Sequence, residues 1–278
     1  MVTSTITIPG MNYRRFESVF ETSRYPAGER HVRLNESVDP TTLRTVEADA
    51  RSFDDLGQIV TADRILRRLG TTVEWFIPYF PFARHDRRND AIDGMELEVA
   101  MEMVSELRIV IADPHSEVTA GLPHFPQSDA VACFERAGLF DDNPVVVIPD
   151  AGAAKKAHGW LAGREFVQAL KHRDPRTGNL SGFAVLTDDL DGRPCIIVDD
   201  ICDGGGTFIG LAAELKAKGA GQLRLAVTHG LFTRGAAGVS SLAELFSTIA
   251  CLTPLDADPI AGVTAIPFND LYNKGSII

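Results

Sequence analysis

The sequence predicts an α/β protein whose mainly parallel sheets are flanked by helices and divided into two halves. Strand-sized apolar runs alternate with helix-like segments, the signature of parallel strands joined by crossover helices. The length, 278 residues, suffices for two modest α/β domains. Strand–loop–helix units stand on both sides of residues 123–143, a segment that is loop-rich at its ends. The expected boundary lies near residue 140, giving domains 1–140 and 141–278.

Each element has a local reason. Residues 72–77 read as a strand, and the polar, basic stretch 83–90 behind them as a loop. Residues 95–107 have helical composition and stop just before a buried strand at 109–112. The apolar run 145–148 is a further strand, ending at Pro149-Asp150-Ala151-Gly152. Residues 171–182 are polar and rich in Arg, Pro and Gly, which predicts an exposed, mobile loop. A third strong strand covers 195–198. A helix over 208–218 is closed by Gly219, and a strand follows at 223–228. Low-complexity tracts and short-period repeats are absent from the sequence.

Composition narrows the function classes. A hydrophobic share of 45% with 23% charged residues is ordinary for a soluble globular protein. The longest apolar runs fall well short of the ~20 residues that cross a bilayer. The stretch from Met1 to Pro9 lacks a basic segment followed by an apolar core, so the expected compartment is the cytoplasm. Cys133, Cys195, Cys202 and Cys251 form no CxxC pair, which points to reduced, mostly buried thiols. A net charge of −11 opposes nonspecific binding to nucleic acid. Small anions must then be held by local donor clusters.

One such cluster is CIIVDDICDGGGT, starting at Cys195. An apolar strand delivers Asp199 and Asp200 to its carboxyl end, where open α/β sheets bind ligands. Gly204, Gly205 and Gly206 allow a tight turn and close approach, and Thr207 opens a helix whose free N–H groups face the loop. That is a phosphate cradle. Two carboxylates beside it would repel the phosphate, so they suit ribose hydroxyls or a bridging Mg²⁺. A solvated glycine turn is the simple alternative. No GxxxxGK[ST] occurs, which excludes a Walker-type site.

This segment resembles the ribose-phosphate signature shared by type I phosphoribosyltransferases and phosphoribosyl-pyrophosphate synthetases, which implies two phosphoribosyltransferase-like domains. By that likeness Asp199 and Asp200 address the ribose hydroxyls, while Asp203, Gly204, Gly205, Gly206 and Thr207 form the 5-phosphate loop. The family commonly has Thr where this chain has Gly204, so a hydroxyl donor is missing and space is expected to be gained.

Further segments resemble the synthetases specifically, and the likeness runs from about Tyr25 to Asn269. IPYFPFARHDRRND, from Ile77, implies Arg84, His85, Asp86 and Arg87 as contacts to the ATP polyphosphate, with His85 where Gln is usual and Arg88 in the same cluster. IADPHSE, from Ile111, is similar to the family's DLHAE segment and implies His115 as a Mg²⁺ ligand; VVVIPDAGAAKKA, from Val145, implies Asp150 as another. KHRDPRTGN, from Lys171, lies where the synthetases carry a catalytic loop, which implies Lys171 and Arg173 as catalytic cations, with Arg176 a further candidate. YPAGERHVRL, from Tyr25, resembles the segment that meets adenine from a neighbouring subunit, implying Tyr25 and Glu29 as ATP contacts and a homo-oligomer with shared sites. Ala27 replaces an acidic residue there, so adenine recognition is altered.

The resemblance implies transfer of the β,γ-diphosphoryl group of ATP, with Mg²⁺, to the 1-hydroxyl of ribose 5-phosphate. Gly204, the altered adenine segment and the chain end at Ile278 are also compatible with ADP-ribose as acceptor, in an enzyme feeding NAD synthesis. The rivals are a noncatalytic regulatory relative, opposed by the presence of Lys171, Arg173 and His115, and a phosphoribosyltransferase, opposed by the Arg84 segment. No nucleic acid or membrane partner is expected.

Overall fold

The structure is a computed structural model that describes residues 7–8, 11–87, 92, 94–173, 180–253, 258, 260–268 and 271; residues 7–8, 11–12, 171–173 and 180–181 are described by backbone alone. The chain forms two compact units, the first running to His124 and the second starting at Phe125. The sequence predicts the boundary near residue 140. The difference is the helix Gln127–Arg136, which packs with elements of the second unit.

In the first unit the order is β1 (Thr7–Ile8), β2 (Met11–Arg15), α1 (Phe16–Val19), β3 (Phe20–Arg24), β4 (Arg30–Leu34), β5 (Thr45–Glu47), α2 (Phe53–Arg68), β6 (Glu74–Phe76), α3 (Glu96–Met103) and β7 (Ile109–Ala112). Strand β8 (His124–Phe125) stands where the chain passes into the second unit. The sheet order is β1-β2-β5-β6-β7-β8, with β2, β5, β6 and β7 parallel. Strands β3 and β4 form a separate antiparallel hairpin.

Helix α2 shows why a segment without a long apolar run still folds. Ser52 caps it by accepting from the Asp55 N–H, acids occupy its first turn, and Arg67 and Arg68 its last. Leu56, Ile59, Ala62, Asp63 and Leu66 form its buried stripe. Buried Asp63 is satisfied by Arg67 and by the Trp75 indole N–H at 2.9 Å.

The second unit contains α4 (Gln127–Arg136), β9 (Val145–Ile148), α5 (Ala151–Ala157), β10 (Phe166–Arg173), β11 (Leu180–Val185), β12 (Cys195–Cys202), α6 (Gly206–Ala217), β13 (Leu223–Gly230), α7 (Gly235–Ala243), β14 (Thr248–Thr253) and β15 (Thr264–Pro267). The sheet order is β11-β10-β9-β12-β13-β14-β15, and only β11 pairs antiparallel. Strand β9 is buried along its whole length, as expected of a strand covered on both faces. Helix α6 buries Phe208, Leu211, Ala212 and Leu215, one helical stripe against the core of Val147, Ile197 and Leu225.

Two expectations are corrected. Strand β12 continues past residue 198 to Cys202, so Asp199 and Asp200 lie inside the ladder. The predicted mobile loop 171–182 is strand at both ends: Lys171 pairs with Phe183 and Arg173 with Leu180 in the β10–β11 ladder. An outer antiparallel pair tolerates polar residues that look loop-like in sequence. Arg176 lies outside the described residues, as does Arg88.

Candidate active site

The strand order of the second sheet locates a crevice. From β9 the chain steps one way to β10, whereas β12 lies on the other side of β9 and leads onward to β13 and β14. The order therefore reverses between β9 and β12. Such a switch point leaves a crevice at the carboxyl ends of the two strands, where α/β sheets take their ligands. Asp150 follows β9, and Asp199 and Asp200 lie on β12 just past its last pair with β9, Ile197 with Val147. Topology thus brings three of the predicted acids to one edge, and β10 carries Lys171 and Arg173 to the same edge.

Asp150 caps α5, its Oδ1 accepting from the Ala153 N–H at 2.9 Å. Asp200 is buried and pairs with Lys156 of α5, Nζ to Oδ2 2.5 Å. Asp199 is half-buried, and its Oδ1 accepts from the Asp200 N–H at 3.0 Å. The two acids therefore differ in burial: Asp200 is buried against a lysine, and Asp199 is only half-buried.

The glycine loop continues from Cys202. Asp203 accepts from the Thr233 hydroxyl at 2.5 Å, and its carbonyl from the Thr233 N–H at 3.3 Å. Gly205 is the N-cap of α6 at φ +77°, a conformation that disfavours any side chain. Its carbonyl accepts from Phe208 and Ile209, so the N–H groups of Gly206 and Thr207 precede the first intrahelical acceptor and face the loop. Gly204 does not leave the space expected from its missing side chain. A Cβ there would sit 3.3 Å from Nε of Arg234, so the arginine borders the place closely.

In the first unit, parallel β5, β6 and β7 bring Glu47, the 79–87 segment and Asp113–His115 to one carboxyl edge; the Ala112 N–H donates to the Pro78 carbonyl at 3.0 Å. Phe82 and Asp113 hold positive φ, +62° and +39°, an uncommon backbone state for residues with side chains that clusters at ligand sites. The Phe82 ring stacks on Phe53 of α2 at 4.2 Å, and the Phe82 carbonyl accepts from the His85 N–H at 2.8 Å. Arg84, His85 and Arg87 are exposed; His85 Nδ1 lies 3.1 Å from Glu96 Oε2, and Arg87 Nε 3.9 Å from Asp86. His115 is exposed. Tyr25 and Glu29 flank the β3–β4 turn, where the Tyr25 N–H donates to the Glu29 carbonyl at 2.9 Å; the Tyr25 ring is 54% exposed, edge-on to His31 and open to stacking.

Comparison with known proteins settles the family. Residues 135–251 match the family described as Phosphoribosyl transferase domain. A ribose-phosphate pyrophosphokinase of Mycobacterium tuberculosis is 30% identical over 224 residues, covering 76% of this chain and 68% of that protein. The chain belongs to the ribose-phosphate pyrophosphokinase family. That makes it a transferase. A ribose-phosphate pyrophosphokinase of Vibrio parahaemolyticus is 31% identical over 229 residues, covering 77% of this chain and 72% of its own. The crystal structure of phosphoribosylpyrophosphate synthetase from Mycobacterium smegmatis shares the fold, with TM-score 0.73 and 21% identity over 94% of this chain and 95% of that one.

Pyrophosphokinase chemistry uses Mg²⁺, and the donor chemistry fits that ion in part. Asp150 and Asp199 offer hard carboxylate oxygens, and Mg²⁺ is characteristically held by one or two carboxylates together with substrate phosphates and water. His115 is a softer donor and suits Mg²⁺ less. Among the described residues no group of three or more His, Cys, Asp or Glu is assembled for a metal, and no helix is long and apolar enough to cross a membrane.

Three residues of these edges escape sequence reasoning. Lys156 has only the signal of a lysine pair about one and a half turns beyond Asp150. Arg234 stands thirty residues from the loop it covers. Glu47 closes β5 fully buried, its Oε2 unbonded among the described residues; burial, then the charge of Asp49, pushes its carboxyl up to about 8.

Proposed function

We propose that the protein transfers the β,γ-diphosphoryl group of ATP to the anomeric hydroxyl of ribose 5-phosphate, giving phosphoribosyl pyrophosphate and AMP. The observation that carries this reading is the β9/β12 switch point, with its acids and glycine loop on one edge. Asp199 and Asp200 orient the sugar hydroxyls, and Asp203 to Thr207 hold the 5-phosphate. Arg84, His85, Asp86 and Arg87 serve the ATP polyphosphate, with Tyr25 and Glu29 on the adenine side of a homo-oligomer.

The 1-hydroxyl oxygen attacks the β-phosphorus in line. The bond from that phosphorus to the α,β-bridging oxygen breaks, AMP leaves with the electron pair, and the hydroxyl proton passes to solvent. Positioning and charge stabilisation suffice for such a transfer. Lys171 and Arg173 supply cations to the transferring group. Asp150 and His115, in their respective units, are the residues that would hold Mg²⁺, which would supply neutralisation of phosphate charge when bound.

Purified protein incubated with Mg²⁺–ATP and ribose 5-phosphate should yield AMP and the diphosphorylated sugar by mass spectrometry. ADP-ribose belongs in a parallel incubation, since Arg234 places an additional cation by the phosphate loop. Absence of AMP with either acceptor would overturn the reading.

A further inference from the structure

The second unit contains a cation that the family resemblance does not assign. Arg234 begins the turn into α7, and its segment is bound to the glycine loop along its length. The N–H groups of Leu231 and Phe232 donate to the Cys202 carbonyl at 2.8 and 3.1 Å, and Thr233 holds Asp203 through backbone and side chain. Two glycines flank the arginine stem. A Cβ on Gly204 would stand 3.3 Å from Nε and 3.7 Å from Cδ, and one on Gly238 2.7 Å from the Arg234 Cβ and 3.7 Å from Cγ. The stem is thus accommodated by the absence of side chains on both sides, and it lies directly beside the place where a side chain at position 204 would begin.

Its charge is uncommitted. The residue is exposed, and among the described residues its guanidinium makes no hydrogen bond or ion pair. The neighbouring charged groups are engaged: Lys156 is paired with Asp200, and Asp203 accepts from Thr233. The open N–H groups at the start of α6 and the Arg234 cation therefore sit on the same loop in a protein of net charge −11. An arginine offers a planar fork of donors matched to phosphate oxygens.

We propose that Arg234 is a phosphate-contacting, specificity-determining residue of the acceptor site, its guanidinium replacing the side-chain donor that Gly204 lacks. The proposal rests on the reading of residues 203–207 as the acceptor's phosphate loop. The ligand class is a phosphate esterified to the 5-position of a ribose, either terminal or continuing into a diphosphate.

Calorimetric titration of the full chain tests it, with ribose, ribose 5-phosphate, ADP-ribose and Mg²⁺–ATP as probes against wild type, Arg234→Ala and Arg234→Lys. Arg234→Ala should raise the Kd of whichever phosphorylated acceptor the wild type binds by roughly 10–100-fold, the scale of a lost charge-assisted hydrogen bond. Binding of Mg²⁺–ATP and of unphosphorylated ribose should not move. Arg234→Lys should recover part of the loss, because it keeps the charge without the fork. A larger loss for ribose 5-phosphate assigns the contact to a terminal phosphate, and a larger loss for ADP-ribose to a bridging diphosphate. Unchanged affinity of Arg234→Ala for both acceptors overturns the proposal alone. A wild type that binds neither acceptor overturns the phosphate-loop reading together with it.

Discussion

The two sheets share an architecture and carry different segments at their carboxyl edges. In the first, β2, β5, β6 and β7 succeed one another in a single direction, and the edge gathers exposed cations on a loop fixed by the positive-φ residue Phe82. In the second, the order reverses between β9 and β12, and the edge gathers carboxylates, glycines and the N-terminus of α6. A parallel sheet supplies only a place. The segment leaving each strand, a basic loop or an acid pair with a glycine turn, sets which groups the edge presents.

The widest gap between the edges is expected at Lys171. Lys171→Ala should cut turnover by ~10²–10³, the scale of a lost transition-state donor, while ATP affinity holds. Single-turnover kinetics with a nucleotide titration is the check, and unchanged turnover would make the residue a bystander. Next is Asp200→Asn, which should weaken sugar-phosphate binding by roughly 10–100-fold and leave Mg²⁺–ATP nearly untouched. Equal loss of both by calorimetry would reassign this edge to the nucleotide.

Gly204→Thr sharpens the picture within the second edge. The new Cβ would meet Arg234 Nε at 3.3 Å and displace a flexible side chain, while the hydroxyl returns a donor. The kcat/KM for ribose 5-phosphate should change by less than about threefold, and that for ADP-ribose should fall further as the second phosphate is crowded. Parallel changes for the two acceptors would remove position 204 from acceptor selection.

The last prediction concerns Glu47 on the first edge. Its folded carboxyl titrates near 8, above the ordinary 4.5, so the folded state holds a proton that the unfolded chain gives up earlier. Stability from this group is full below about pH 4.5 and is lost as pH rises through about 8, on the order of a few kcal/mol. Glu47→Gln should flatten that decline in urea midpoints measured across the range. The same slope in both proteins would reject the assignment.

Much of the second edge is legible in the sequence because its signals are contiguous: VDDICDGGGT places strand, acids, turn and helix within ten residues. The buried strands Ile109–Ala112 and Val145–Ile148 are read from uninterrupted apolar runs for the same reason. Helix α2 carries a cap and charged ends but mixes its stripe with polar residues, so periodicity alone passes over it. Lys171 and Arg173 look like loop because composition does not show a neighbouring strand. Lys156 and Arg234 act across 44 and 30 residues of chain, a reach that only the fold supplies.

The ion pair between Lys156 and Asp200 has a kinetic consequence for an arriving ligand. A sugar phosphate is a dianion, and a bare carboxylate at the crevice would slow its approach. With Lys156 in contact, the long-range field of Asp200 is largely offset in the resting protein. On the proposed function, the association rate of the sugar phosphate should therefore depend on salt less through Asp200 than through the exposed Arg234.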